Sequence, residues 1–110
     1  MRFLLYETGH AQPSAPPSQQ MMEEVGKFTE ETKRAGILLA TGGLAPLGTR
    51  VRSSGGKLAV TDGPFTETKE LTGGFALIEV KSREEAIEWA KRFRKIVGDG
   101  ESVVQEVFGG

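Results

Sequence analysis

Several segments of this chain are apolar at consecutive positions, yet only two segments have the periodicity of helices. Phe3-Leu4-Leu5-Tyr6, Ile37-Leu38-Leu39-Ala40 and Gly74-Phe75-Ala76-Leu77-Ile78 put apolar residues on both parities of a strand. A sheet with one face in water alternates apolar with polar residues instead. The helical segments begin at Ser18 and Ser82. In the first, Met21, Met22, Val25, Phe28 and Thr32 fall on one face; in the second, Ala86, Ile87, Trp89, Ala90 and Phe93 do. Two helices of about fifteen residues can cover only one face of a sheet. The other face needs an apolar partner, and the same face of a second copy is one available cover. Loops or a hairpin folded over the sheet of a monomer are the alternative.

The order of segments is strand, helix, strand, hairpin, strand, helix, strand. Ser18 is positioned to cap the first helix and Gly36 to end it. Ser82-Arg83-Glu84-Glu85 has the capping-box spacing, with Glu85 placed to reach back to the Ser82 amide. Gly26 lowers helix propensity, so the sequence predicts a close approach to the sheet there. Thr49–Arg52 and Lys57–Thr61 flank Ser53-Ser54-Gly55-Gly56, read as a four-residue hairpin turn. Gly42-Gly43 is read as breaking the second strand. The pattern predicts an α+β, ferredoxin-like β-α-β-(β-hairpin)-β-α-β domain with a mainly antiparallel sheet, pairing into a dimeric α+β barrel. Residues 1–110 suit one domain.

Composition narrows the function classes. Fourteen basic against fifteen acidic residues leave a formal charge of −1, without the basic excess usual for nucleic-acid binding. The absence of cysteine removes disulfides, thiolate metal sites and a cysteine nucleophile. Apolar runs of four or five residues are too short to span a bilayer, and Glu7 interrupts the one stretch resembling a signal start. A soluble, cytoplasmic protein without membrane, metal or cofactor is therefore expected. Gly42-Gly43 opens no dinucleotide or P-loop motif. Met21-Met22 and Trp89 read most simply as core.

Unusual chemistry is concentrated in Asp62-Gly63-Pro64-Phe65-Thr66-Glu67-Thr68-Lys69-Glu70, just beyond a strand. Asp62 is one of two aspartates in the chain. It reads either as a turn-forming acceptor with Phe65 as a plug, or as a general base at the mouth of a cleft by the sheet face. Metal binding is a further reading, but no histidine lies near in sequence to complete a site. Arg52 could bind an anion or simply be an exposed strand charge. Glu7 and Tyr6 could face the same cleft, with Tyr6 equally able to serve in packing.

The stretch Asp62-Gly63-Pro64-Phe65, with Thr66, Glu67, Lys69 and Glu70 and then Gly73-Gly74-Phe75, resembles the signature of the DGPF subfamily of YCII-related proteins. Phe3-Leu4-Leu5-Tyr6, Gly42-Gly43-Leu44, Val51-Arg52 and Glu84-Glu85-Ala86-Ile87-Glu88-Trp89-Ala90 extend the resemblance over nearly the whole chain. It implies a ferredoxin-like domain that pairs into a dimeric barrel. Most such proteins have no established activity. Some carry a proposed His–Asp pair, one relative is similar to a dehydrochlorinase acting on a hydroxylated chloroaromatic, and others resemble products encoded beside sigma factors. The single histidine here, His10, lies in a Gly/Pro-rich loop and does not match the position of such a pair. Three functions follow as expectations: a homodimer binding a small molecule in a cleft by the sheet face through Arg52, Phe65, Glu7 and Tyr6; a cofactor-free lyase or isomerase using Asp62; or a regulatory interaction protein linked to a sigma factor.

Overall fold

The computed structural model of the protein describes residues 1–8, 18–44, 48–62 and 74–109. Its elements are β1 (Arg2–Thr8), α1 (Gln19–Arg34), β2 (Leu38–Gly43), β3 (Thr49–Ser54), β4 (Lys57–Asp62), β5 (Gly74–Glu79), α2 (Arg83–Val97) and β6 (Glu101–Val107). Four strands form one antiparallel sheet in the order β2-β5-β1-β6, and β3 and β4 pair separately. Each helix therefore connects two strands that flank a third, giving two split β-α-β units. Backbone bonds of 2.8 Å in both directions between Met1 and Val80 continue the β1–β5 ladder past its end.

Both helix starts follow from their serines. Ser18 Oγ accepts from the Met21 amide at 3.1 Å, and Ser82 Oγ accepts from the Glu85 amide at the same distance. Glu85 reaches back to the amide of Lys81 (3.1 Å), one residue before the one expected. Gly36 takes φ of +73° immediately after α1, the conformation that ends a helix with least strain in glycine.

Strand register divides the main sheet into two faces. Phe3 lies opposite Ile78, and Leu5 lies between Ala76 and Val104. These side chains meet Ala86 and Trp89 of α2, and with Val80 they form the core. On the reverse face Leu4 lies opposite Leu77, and Tyr6 lies between Phe75 and Val103. Neither helix covers this face. Among the described residues, the strands expected to be buried on both sides carry helices on one side only, and Leu4, Tyr6, Phe75 and Leu77 on the other side are half-buried.

Four local expectations change. Gly42 and Gly43 belong to β2 and do not break it. A Cβ at Gly42 would come within 3.2 Å of the Phe75 ring, and one at Gly74 within 3.3 Å of the Gly42 carbonyl, so these glycines allow β2 and β5 to pack closely. The hairpin turn has two residues: Ser54 pairs with Lys57, and Gly55 and Gly56 take φ of +56° and +80°. Nothing lies within 4 Å of a Cβ built at Gly26, so no close approach explains that residue. Met22 is exposed and does not join the core.

Candidate functional site

A cavity of about 360 Å³ lies between the helices and the sheet, on the face opposite the open one. This volume falls in the range of small-molecule sites. Val25 and Phe28 of α1 and Trp89, Ala90 and Phe93 of α2 form its roof; Leu5, Leu38, Ala76 and Ile78 contribute from the sheet. The aromatic rings brace one another, with Phe28 centred 5.7 Å from Trp89 and 6.3 Å from Phe93 in tilted arrangements. Helical spacing makes this possible, because Trp89 and Phe93 lie four residues apart on one face of α2.

Arg92 ties the roof together from outside. Its guanidinium donates to both oxygens of Glu31 at 2.6 and 2.8 Å, linking α2 to α1. It also stands over the rings of Trp89 (4.8 Å) and Phe28 (5.1 Å). The hydrogen bonds from Arg92 hold the Glu31 carboxyl below the usual range.

Polar groups are few and mostly acceptors. Thr29 Oγ1 donates to the Val25 carbonyl at 2.9 Å, Thr32 Oγ1 to that of Thr29 at 2.8 Å, and Thr41 Oγ1 to that of Phe75 at 2.9 Å. All three threonines line the cavity. Their protons are committed within the chain, so each hydroxyl oxygen presents lone pairs. Glu7 is the one carboxylate among the described lining residues. Its Oε1 accepts from Arg94 Nη2 at 2.8 Å in a partly buried pair. Arg94 also stands 5.6 Å from the Phe93 ring, and its buried Nε has no acceptor among the described residues. Gly100 makes room for it, since a Cβ there would fall on Arg94 Nη1. The arrangement can hold a flat apolar body under the rings and accept hydrogen bonds from its donors at the Glu7 end.

The expected site residues separate into two groups. Glu7, within β1, lines this cavity, and Tyr6 borders it from the strand while its side chain lies on the open face. The Tyr6 hydroxyl donates to Gln105 Oε1 at 2.8 Å, and register places Gln105 on the open face. Asp62 and Arg52 do not line the cavity. Asp62 ends β4, where Thr49 Oγ1 donates to its Oδ1 at 2.9 Å, and Arg52 is exposed opposite Ala59 in the hairpin. Phe65 and His10 lie outside the described residues. Sequence reasoning missed Phe28, Phe93 and Arg94. The first two were legible only as core, and nothing in the local sequence joins Arg94 to Glu7, 87 residues away.

No group of three or more potential metal ligands occurs among the described residues. No described helix is long and apolar enough to cross a membrane.

Comparison with known proteins adds three findings. The family model for the YCII-related domain matches residues 1–108. An uncharacterised protein of Rhizobium meliloti, R00369, is 34% identical over 80 residues, covering 71% of this chain and 64% of its own length. The chain thus spans less than two thirds of the curated relative it matches. Among solved structures, the 5-chloro-2-hydroxyhydroquinone dehydrochlorinase of Burkholderia phenoliruptrix AC1100, in complex with 2,5-dihydroxybenzoquinone, superposes with a TM-score of 0.57 at 19% identity. That match covers 100% of this chain and 96% of the other, and at such identity it shows a shared fold alone. With the family match running from the first strand to the last, this chain belongs to the YCII-related domain family.

Proposed function

We propose that this protein is a YCII-related domain of the DGPF branch that binds a neutral hydroxylated ring compound beneath its helices and acts as a homodimer. The observation that carries the ligand reading is the cavity itself, walled by Phe28, Trp89 and Phe93 with Glu7, the one carboxylate among its described lining residues, at its polar end. A ring hydroxyl can donate to Glu7 or to a threonine oxygen while the ring contacts the aromatic side chains. The structural neighbour's complex, a benzoquinone ring on the same fold, supports that ligand class. The DGPF assignment rests on the Asp62-Gly63-Pro64-Phe65 signature. Strand order β2-β5-β1-β6 supports the ferredoxin-like reading. The open sheet face bearing Leu4, Tyr6, Phe75, Leu77 and Val103 supports packing against a second copy as a barrel.

A cofactor-free acid/base reaction is a second reading, and contact with the cavity favours Glu7 over Asp62 as its carboxylate, with Arg94 fixing where that group stands against a bound hydroxyl. Asp62 lies outside the cavity of its own chain, so it could serve as the base only where a second copy carries it to a site.

Hydroquinone is a suitable probe, and Trp89 is the one tryptophan of the chain. Saturable quenching of Trp89 fluorescence is expected. Glu7→Gln should weaken binding by roughly tenfold or more through loss of a charge-assisted hydrogen bond, and Asp62→Asn should leave affinity unchanged. Failure of hydroquinone to produce any saturable change would remove the ligand reading.

A further inference from the structure

The polar groups of the cavity are one-sided in a way that its shape does not convey. Strand register fixes which sheet residues look toward the helices. Glu7 lies two residues beyond Leu5 on β1 and opposite Ser102 on β6, and Thr41 lies opposite Ala76. From α1, Thr29 and Thr32 stand three residues apart on the face that carries Val25 and Phe28. The hydroxyls of Thr29, Thr32 and Thr41 already donate to main-chain carbonyls at 2.8–2.9 Å. A hydroxyl committed in this way accepts a hydrogen bond but has no second proton to give.

Glu7 is stricter still. A carboxylate has about four acceptor positions and no donor, and Arg94 Nη2 takes up one of them at 2.8 Å while fixing where the group stands. Among the described lining side chains, Ser102 and Trp89 also carry donors, but these serve a ring hydroxyl and a ring carbonyl alike, because both oxygens accept. Discrimination between the two therefore falls on Glu7. A ring hydroxyl donates to that carboxylate. A ring carbonyl in the same place has nothing to donate, and it sets its own lone pairs against a partly buried negative charge with little water to screen them.

We propose that the cavity selects the reduced, hydroxyl-bearing state of its ring ligand over the corresponding quinone, and that Glu7 sets this preference. The inference rests on the hydroxylated-ring reading and narrows it to one oxidation state. The two states interconvert as Q + 2e⁻ + 2H⁺ ⇌ QH2, and the protein supplies neither the electrons nor the protons. It acts through differential affinity alone: tighter binding of QH2 than of Q moves the bound couple toward the reduced form. A tenfold preference raises the potential of the bound couple by about 30 mV. Bound hydroquinone is then harder to oxidise than the free compound, and holding it in that state is a function that needs no turnover.

Hydroquinone and 1,4-benzoquinone test this as a pair of the same size. Isothermal titration under argon at about pH 6, where lysine amines are protonated and add slowly to the quinone, reads both dissociation constants, and mass spectrometry reports that the chain stays unmodified. The wild type is expected to bind hydroquinone at least roughly tenfold more tightly than benzoquinone. In Glu7→Gln, whose carboxamide both donates and accepts, the ratio should fall to about one, with circular dichroism showing that the variant is folded. Equal affinities in the wild type would overturn the selection, leave the ring-binding reading standing, and need no variant. A preference that persists undiminished in folded Glu7→Gln would remove Glu7 as its source. Binding of neither compound would overturn the ring-binding reading together with this one.

Discussion

At Glu31 the guanidinium of Arg92 favours the ionised carboxylate, so the folded chain binds its proton less readily than the unfolded chain. The stabilisation from this pair is therefore present above the ordinary glutamate range and is lost as pH falls through the lowered folded-state value. Carbon-detected NMR titration should find Glu31 below the usual range in the wild type and back within it in Arg92→Met. Equal values in the two proteins would mean that the pair does not persist in solution. Arg94 makes a different demand. Its guanidinium occupies the space that a side chain at position 100 would need, and Gly100 has φ of +148°. Gly100→Ala is expected to destabilise the fold by about 1–3 kcal/mol in urea denaturation and to weaken hydroquinone binding by displacing the partner of Glu7. Unchanged stability would show that Gly100 does not hold this backbone conformation in solution.

The helices separate what local sequence specifies from what it does not. Ser18, Ser82 and Gly36 were legible as helix ends because capping is a contest among neighbouring backbone groups. Ser82→Ala should lower stability by about 1 kcal/mol. Gly26 was misread, because helix propensity reports that a glycine is unfavourable without reporting what stands opposite it. With open space around it, Gly26→Ala should raise stability by up to about 1 kcal/mol; a loss would reveal a surface packed there by a partner. The strands repeat the pattern. Runs of consecutive apolar residues located them, but Gly42-Gly43 reads as a break until the proximity of the Phe75 ring is known, and that contact spans 33 residues of sequence. The hairpin turn was read two residues too long because Ser53 and Ser54 suit a turn as well as a strand end.

At the scale of the whole molecule, the sequence put apolar residues on both faces of β1 and β5, and the strand register does the same. The sequence did not show on which side a ligand space would open. Apolar positions on both faces of β1 and β5 pointed to a cleft by the uncovered face, whereas the cavity lies under the helices. The reason is physical: Phe28, Trp89 and Phe93 fit the same helical stripe whether they fill a core or wall a cavity. Only the packing distance between helix and sheet distinguishes the two. Asp62 drew attention through its rarity and its motif, while Glu7, one glutamate among thirteen, gained its place from long-range geometry.

The location of the site is the claim on which the functional account turns, and amide and indole NMR shifts across a hydroquinone titration test it over the entire chain. Saturable shifts should gather at Glu7, Thr29, Trp89 and Phe93 and leave Arg52 and Asp62 unmoved. Shifts gathered on the hairpin or on the open sheet face around Leu4, Phe75 and Leu77, with Trp89 silent, would contradict it.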